Sequence, residues 1–196
     1  MRISSAAFAL LASAAGALSA GCGSPDNIVY GSVSSADTTK FPDASIPQVH
    51  SAIHYNGMVT NLNTPSATPV PRSVVILSGQ DGLCDSLKNT PLYFQTAPQG
   101  FTALILMTPT GVDGDFLLGG TTNTDASLLA AFRGQQVAML PGVGGDVSVT
   151  EFNLSGNAAG TFNLVVAATL SAYPIYGRFK TNPCPAIAGA YLPYAH

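Results

Sequence analysis

The side chains that most often carry chemistry are sparse in this chain, and few stand at workable spacing. Two of its three histidines, His50 and His54, are four apart; the third is His196. On a helix that spacing lets two imidazoles share a metal ion. Here Pro47 precedes the pair and Gly57 follows it. On a strand the two rings would share a face about 13 Å apart, too far for one ion. Both histidines are therefore expected as polar surface residues. Asp81 and Asp85, and Asp113 and Asp115, are paired carboxylates. No Glu follows either pair to close an EF-hand-like loop, and Asp113-Gly114-Asp115 reads as a hairpin turn. A glycosidase needs two carboxyls across a cleft. With no Trp and a single glutamate, Glu151, a sugar-binding platform is not expected. The serine elbow G-x-S-x-G is missing, and Ser86-Leu87-Lys88 is one residue short of S-x-x-K. Triads are spatial, so a hydrolase using His50 or His54 stays open as a minor alternative. Gly142-Val143-Gly144-Gly145 lacks the Lys-Ser/Thr of a phosphate loop and is expected as a turn. No C-x-x-C occurs, and no pattern points to a metal or a cofactor.

The elements that must position any site follow from composition. The 196 residues suffice for one domain. Only 9% are charged against 46% hydrophobic, where soluble domains carry about 25% charge. That excludes a charge-rich disordered chain and a coiled coil. The seven basic residues are scattered and the net charge is −3, so no nucleic-acid footprint exists. Twenty Gly and fourteen Pro, with three Lys and one Glu, disfavour long helices and favour short strands.

From Ile46 onward, apolar runs alternate with turn signals about every ten residues. This is the pattern of an all-β domain, an antiparallel β-sandwich or open barrel. Strands are expected at Ala52–Leu62, Val70–Leu77, Leu92–Gln95, Phe101–Met107 and Asp115–Leu118. Further strands are expected at Gln136–Leu140, Val147–Leu154, Gly160–Ala168 and Tyr176–Lys180. Ser127–Phe132 is ambiguous between a strand and one short helix, because Leu128, Leu129 and Phe132 have helical spacing. Val147–Leu154 and Gly160–Ala168 flank a hairpin loop at Ser155-Gly156-Asn157. Their inward phases agree only if a bulge falls near Thr150-Glu151. Residues 22–45, rich in Ser, Thr, Asp and Gly, read as a tether. Within it Ile28-Val29-Tyr30 could dock as an edge strand.

The N-terminus supplies an address. Met1-Arg2-Ile3 is a short positive segment, and Ala6–Leu18 is an apolar run too short to span a ~30 Å hydrocarbon core. The junction Leu18-Ser19-Ala20-Gly21-Cys22 resembles the lipobox of bacterial lipoproteins, with Ser19 where Leu is usual. The resemblance implies a signal peptide over 1–21, cleavage after Gly21, and a lipid on Cys22. Two or more acyl chains would hold the protein to a membrane stably. Gly23-Ser24 after the cysteine, with no Asp, implies the outer membrane. An ordinary signal cut near Ala20 is the alternative. With Cys22 assigned to lipid, Cys84 and Cys184 remain, to pair in an oxidising compartment or to stay as buried thiols.

Gly160-Thr161-Phe162 and Gly177-Arg178-Phe179 echo each other, each with a Gly two residues before an inward Phe. With the late Cys184, this resembles the terminal hairpin of a loose class of small bacterial lipoproteins. The resemblance implies an address and an architecture rather than an activity. The function so read is a lipid-anchored envelope protein, a non-enzymatic structural or interaction module. Its expected partners are the membrane and an envelope protein. A carrier of a small apolar ligand or carbohydrate is the alternative.

Overall fold

Val74-Val75-Ile76-Leu77 and Leu104-Ile105-Leu106-Met107 are apolar at every position, which a strand can satisfy only if both of its faces are covered. The structure, a computed structural model, shows that arrangement. It describes residues 26–34, 43–59, 70–90, 93–118, 124–132, 136–153, 156–168 and 171–185. Strands β1 (Ile28–Tyr30), β2 (Ser32–Val33), β3 (Ala44–Ser45), β4 (Ser51–Val59) and β5 (Val70–Ser78) come first. Helix α1 (Leu83–Asn89) follows, then a 3-10 turn at Tyr93–Gln95. Next come β6 (Thr102–Pro109), β7 (Gly114–Leu117), β8 (Asp125–Phe132) and β9 (Gln136–Phe152). β10 (Ala158–Ala168), β11 (Ser171–Lys180) and β12 (Asn182–Pro183) complete the order.

Ten strands form one curled sheet, a half-barrel, in the order β1-β11-β10-β9-β8-β6-β5-β4-β12, with β7 alongside β9. The all-β expectation holds. Every ladder in this sheet is antiparallel except β12 on β4. The inside of the curl holds Leu77, Leu104, Leu106, Leu128, Leu140, Phe162, Leu164, Ile175 and Phe179, all buried. The outer face of β4, β5, β6 and β8 buries a second cluster, Ile53, Val74, Ile76, Ile105, Met107 and Leu129. It lies under Leu83 and Leu87 of α1 and under Phe94 and Phe101. Tyr93, Phe94 and Phe101 pack edge-on or tilted at 5.7–6.2 Å to complete that cover. In β10 the pattern is different: Phe162, Leu164 and Val166 are buried, while Thr161 and Asn163 are exposed. One face of the β9–β10–β11–β1 side is therefore open to water.

Several expectations need correction. Of the two alternatives for Ser127–Phe132, the strand is the one present, as part of β8. Its small and β-compatible residues are held between β6 and β9, so pairing overrides the helical spacing. The helix is α1, Leu83–Asn89, in a segment whose apolar Leu83 and Leu87 face the sheet. Leu92–Gln95 was expected as a strand; Tyr93–Gln95 is a 3-10 turn, and Leu92 lies outside the described residues. Pro141-Gly142 does not end a strand, nor is Gly142–Gly145 a turn between two. β9 runs through both, pairing with β8 as far as Pro141 and with β10 from Gly142. A register shift there leaves Val143 unopposed, and Gly145 sits at φ 103°. The glycines let the strand bend and change partners without stopping.

The bulge near Thr150-Glu151 is present: Ala159 faces Glu151 and Gly160 faces Val149, leaving Thr150 over. Ile28–Tyr30 docks as the expected edge strand, on β11. Val33 and Ala44, inside the stretch read as a tether, are also buried in the half-barrel, where β2 and β3 pair. Sparse apolar residues among Ser and Thr hid this from a composition-based reading. Cys84 and Cys184 are bonded to each other, with Cα atoms 5.8 Å apart and a sequence separation of 100. Of the two outcomes left open for them, the structure contains the disulfide. Among the described residues no helix is long and apolar enough to cross a membrane. Cys22 and His196 lie outside the described residues.

Candidate functional site

The water-facing side of β7, β9, β10, β11 and β1 is ruled into rows by strand register. Side chains directly opposite in neighbouring strands share a face. Leu117 faces Asp146, Asp146 faces Asn163, Asn163 faces Tyr176, and Tyr176 faces Tyr30. Two residues along, Asp115, Ser148, Thr161, Arg178 and Ile28 form a second row by the same pairings. Beyond the Thr150 bulge, Glu151, Ala159 and Lys180 form a third. Four strand spacings of about 4.8 Å make the longer rows about 19 Å across.

The rows are mostly polar, with Leu117 and Ile28 at two of their ends and Ala159 within the third. Acids occupy the β7–β9 side: Asp115, Asp146 and Glu151. Hydroxyls and an amide fill the middle: Ser148, Thr161 and Asn163. Tyr30, Tyr176, Arg178 and Lys180 occupy the β11–β1 side. Tyr30 is 52% exposed and Tyr176 50%. Their rings meet at 5.3 Å with a 32° tilt. A shallow groove of about 550 Å³ runs past them, bordered by Asp146, Asn163 and Arg178. Exposed aromatic rings beside planar polar groups can stack on and hydrogen-bond a partner at once.

A second concavity, about 470 Å³, lies beside the start of β4 and is lined by Gln48, His50, Gln80, Gln99 and Thr102. At its rim His50 Nδ1 is 3.0 Å from Asp81 Oδ1. The neighbouring serine hydroxyls are committed to backbone: Ser51 Oγ donates to the Gln80 carbonyl at 2.6 Å, and Ser78 Oγ to the Thr102 carbonyl at 2.8 Å. Tyr93 donates its phenol to Gln80 Oε1 at 2.6 Å, which pins the same loop.

His54 is not the surface residue expected from sequence. It is 1% exposed. Its Nδ1 donates to the Gly156 carbonyl at 2.8 Å, and its ring stands edge-on to Phe152 at 5.4 Å. The Cys184 N–H donates to the His54 carbonyl at 2.8 Å. His54 therefore ties β4 to the tip of the β9–β10 hairpin and to the chain after β12, where the curl comes round upon itself. Desolvation by burial pushes its pKa below the ordinary histidine value; the bond to Gly156 pulls weakly the other way. His50 stands just before β4 and His54 within it, and among the described residues no group of three or more metal-ligating side chains comes together. Sequence reasoning missed the Tyr30–Tyr176 pair, whose members come from opposite ends of the chain. The only available signal was the apolar patch Ile28-Val29-Tyr30.

No protein-family model, no curated protein and no solved structure matches the chain.

Proposed function

We propose that the chain is a lipid-anchored protein of the bacterial cell envelope, held by Cys22, and that its β-domain is a non-enzymatic interaction module. The observation that carries this reading is the ruled outer sheet face, whose first strand begins six residues after Cys22. The half-barrel interior is filled by Phe162, Leu104, Leu128 and their neighbours, so the surface, not the inside, is where a partner can be met. The lipobox-like Leu18–Cys22 supports the address. The Cys84–Cys184 bond supports an oxidising compartment.

Fractionation tests the address. Wild-type protein should sediment with membranes and shift to the soluble fraction on Cys22→Ala or on blocking lipoprotein signal peptidase with globomycin. Intact mass should show cleavage before Cys22 plus acyl mass. A soluble wild-type species without acyl mass sinks the proposal.

A second reading, a small-ligand carrier, rests on the cleft beside His50. Native mass spectrometry of protein purified from envelope distinguishes it: a carrier brings a stoichiometric small ligand that His50→Ala with Gln80→Ala loses.

A further inference from the structure

The outer face is graded. In each row the acid stands on the β7–β9 side and the cation or aromatic pair on the β11–β1 side: Asp146 against Tyr176 and Tyr30, Asp115 against Arg178, Glu151 against Lys180. The side rich in Tyr and cations is also the side to which the N-terminal segment leads. Ile28 is six positions after Cys22, so a fully extended chain lets β1 lie no more than about 21 Å from the lipidated position. Tyrosine favours the boundary between hydrocarbon and water, where its ring is desolvated and its hydroxyl stays wet. Lysine and arginine within a Debye length of anionic headgroups are attracted to them, and aspartate and glutamate are repelled.

We infer that the β1–β11 edge rests on the headgroup layer of an anionic bilayer, with Tyr30 and Tyr176 as interfacial anchors and Arg178 and Lys180 facing the lipid phosphates. The occupant is a lipid surface. The acidic β7–β9 side then points away from the membrane and is the part left for other partners. This rests on the lipid anchor at Cys22, and it fixes an orientation that the anchor alone does not. The contact leaves backbone pairing intact, because β1 is already paired with β11.

The chain contains no tryptophan, so a single introduced indole reports its own surroundings. Acylated full-length protein carrying Tyr176→Trp, or in a second preparation Tyr30→Trp, is reconstituted in vesicles of phosphatidylethanolamine and phosphatidylglycerol containing a brominated phospholipid. Met58→Trp, exposed on β4 at the other end of the strand order, is the control. Flotation with the vesicles is scored first. The expected result is flotation of all three, with several-fold stronger bromolipid quenching at 176 and 30 than at 58. Arg178→Glu with Lys180→Glu, added to the Tyr176→Trp chain, should reduce the quenching without reducing flotation. Flotation with equal quenching at 176, 30 and 58 overturns the orientation and leaves the anchor standing; a glycan or protein partner would then be the use of the tyrosine pair. Failure to float refutes the anchor, and the orientation falls with it.

Discussion

Phe162 on β10 lies directly opposite Gly177 on β11, and its ring fills the space a side chain at 177 would need. A Cβ there would stand 2.8 Å from Phe162 Cζ and would overlap the Ile28 carbonyl oxygen. The relation is reciprocal one step along the same ladder. Phe179 faces Gly160, where a Cβ would meet Phe179 Cζ at 2.8 Å and overlap the Ser148 carbonyl oxygen. Two glycines thus let two phenylalanines lie across their neighbours, and let β1 and β9 close on either side.

Gly177→Ala and Gly160→Ala should each destabilise the domain, because the obstructing atoms are backbone and cannot rotate away. Phe162→Ala should cost about 3–5 kcal/mol, as for other buried phenylalanines. Urea titration followed by circular dichroism measures all three. Gly177→Ala should in addition release β1, seen as faster amide exchange at Val29 than in Gly160→Ala. A Gly177→Ala protein as stable as wild type would show that the close approach is not needed.

His54 makes stability depend on pH. Its folded pKa lies below the unfolded value, so the unfolded chain takes up a proton that the folded chain refuses. Its contribution is complete above about pH 6.5, the ordinary histidine value, and declines as the pH falls from there toward the folded pKa. Asp125 works in the other direction at lower pH: burial raises its pKa, against the pull of Arg72, so deprotonation between the unfolded and folded values weakens the fold. Thermal melts from pH 7.5 to pH 5 should show a falling Tm in the wild type and a flatter profile in His54→Gln. An unchanged slope would remove His54 as the source.

Breaking the Cys84–Cys184 link should lower stability by about 4–5 kcal/mol in the chain-entropy model for a loop of this length. The loss should be felt first at α1, which the bond pins over the outer cluster. Melts of Cys84→Ala with Cys184→Ala, read against wild type with and without reductant, check the size. Hydrogen exchange across Leu83–Asn89 checks the place.

Gly145→Ala should cost at least about 2 kcal/mol. Its φ of 103° strains any other residue, and the added Cβ would overlap the Asn163 carbonyl oxygen and crowd Leu164 Cα at 2.8 Å. Gly144→Ala, where nothing lies within 4 Å, is the matched control. Equal denaturation midpoints for the two variants would contradict the strained bend in β9.

What the sequence revealed was local and phase-dependent. The alternation of Phe162, Leu164 and Val166 with Thr161 and Asn163 announces a one-sided strand, and the phase slip before Phe152 announces the bulge at Thr150. What it hid was set by distant partners. Leu128, Leu129 and Phe132 carry helical spacing, yet β6 and β9 supply the hydrogen bonds that make them strand. His54 looks like any polar residue until the β9–β10 hairpin folds over it. The glycines of β9 look like punctuation, because a bend and a stop use the same residue. The graded outer face is legible only once the four registers that join its five strands are known together.

The placement of β1 has a consequence for assembly of the molecule. Ile28 takes its partner from Arg178, and Ile53 on β4 takes one from Asn182. Both ends of the strand order wait on partners far along the chain, so neither edge can be capped until residues 178 and 182 have been made. Pairings this remote in sequence form slowly. Until they form, both edges of the sheet stay open, and closing them is expected to be the last step of folding.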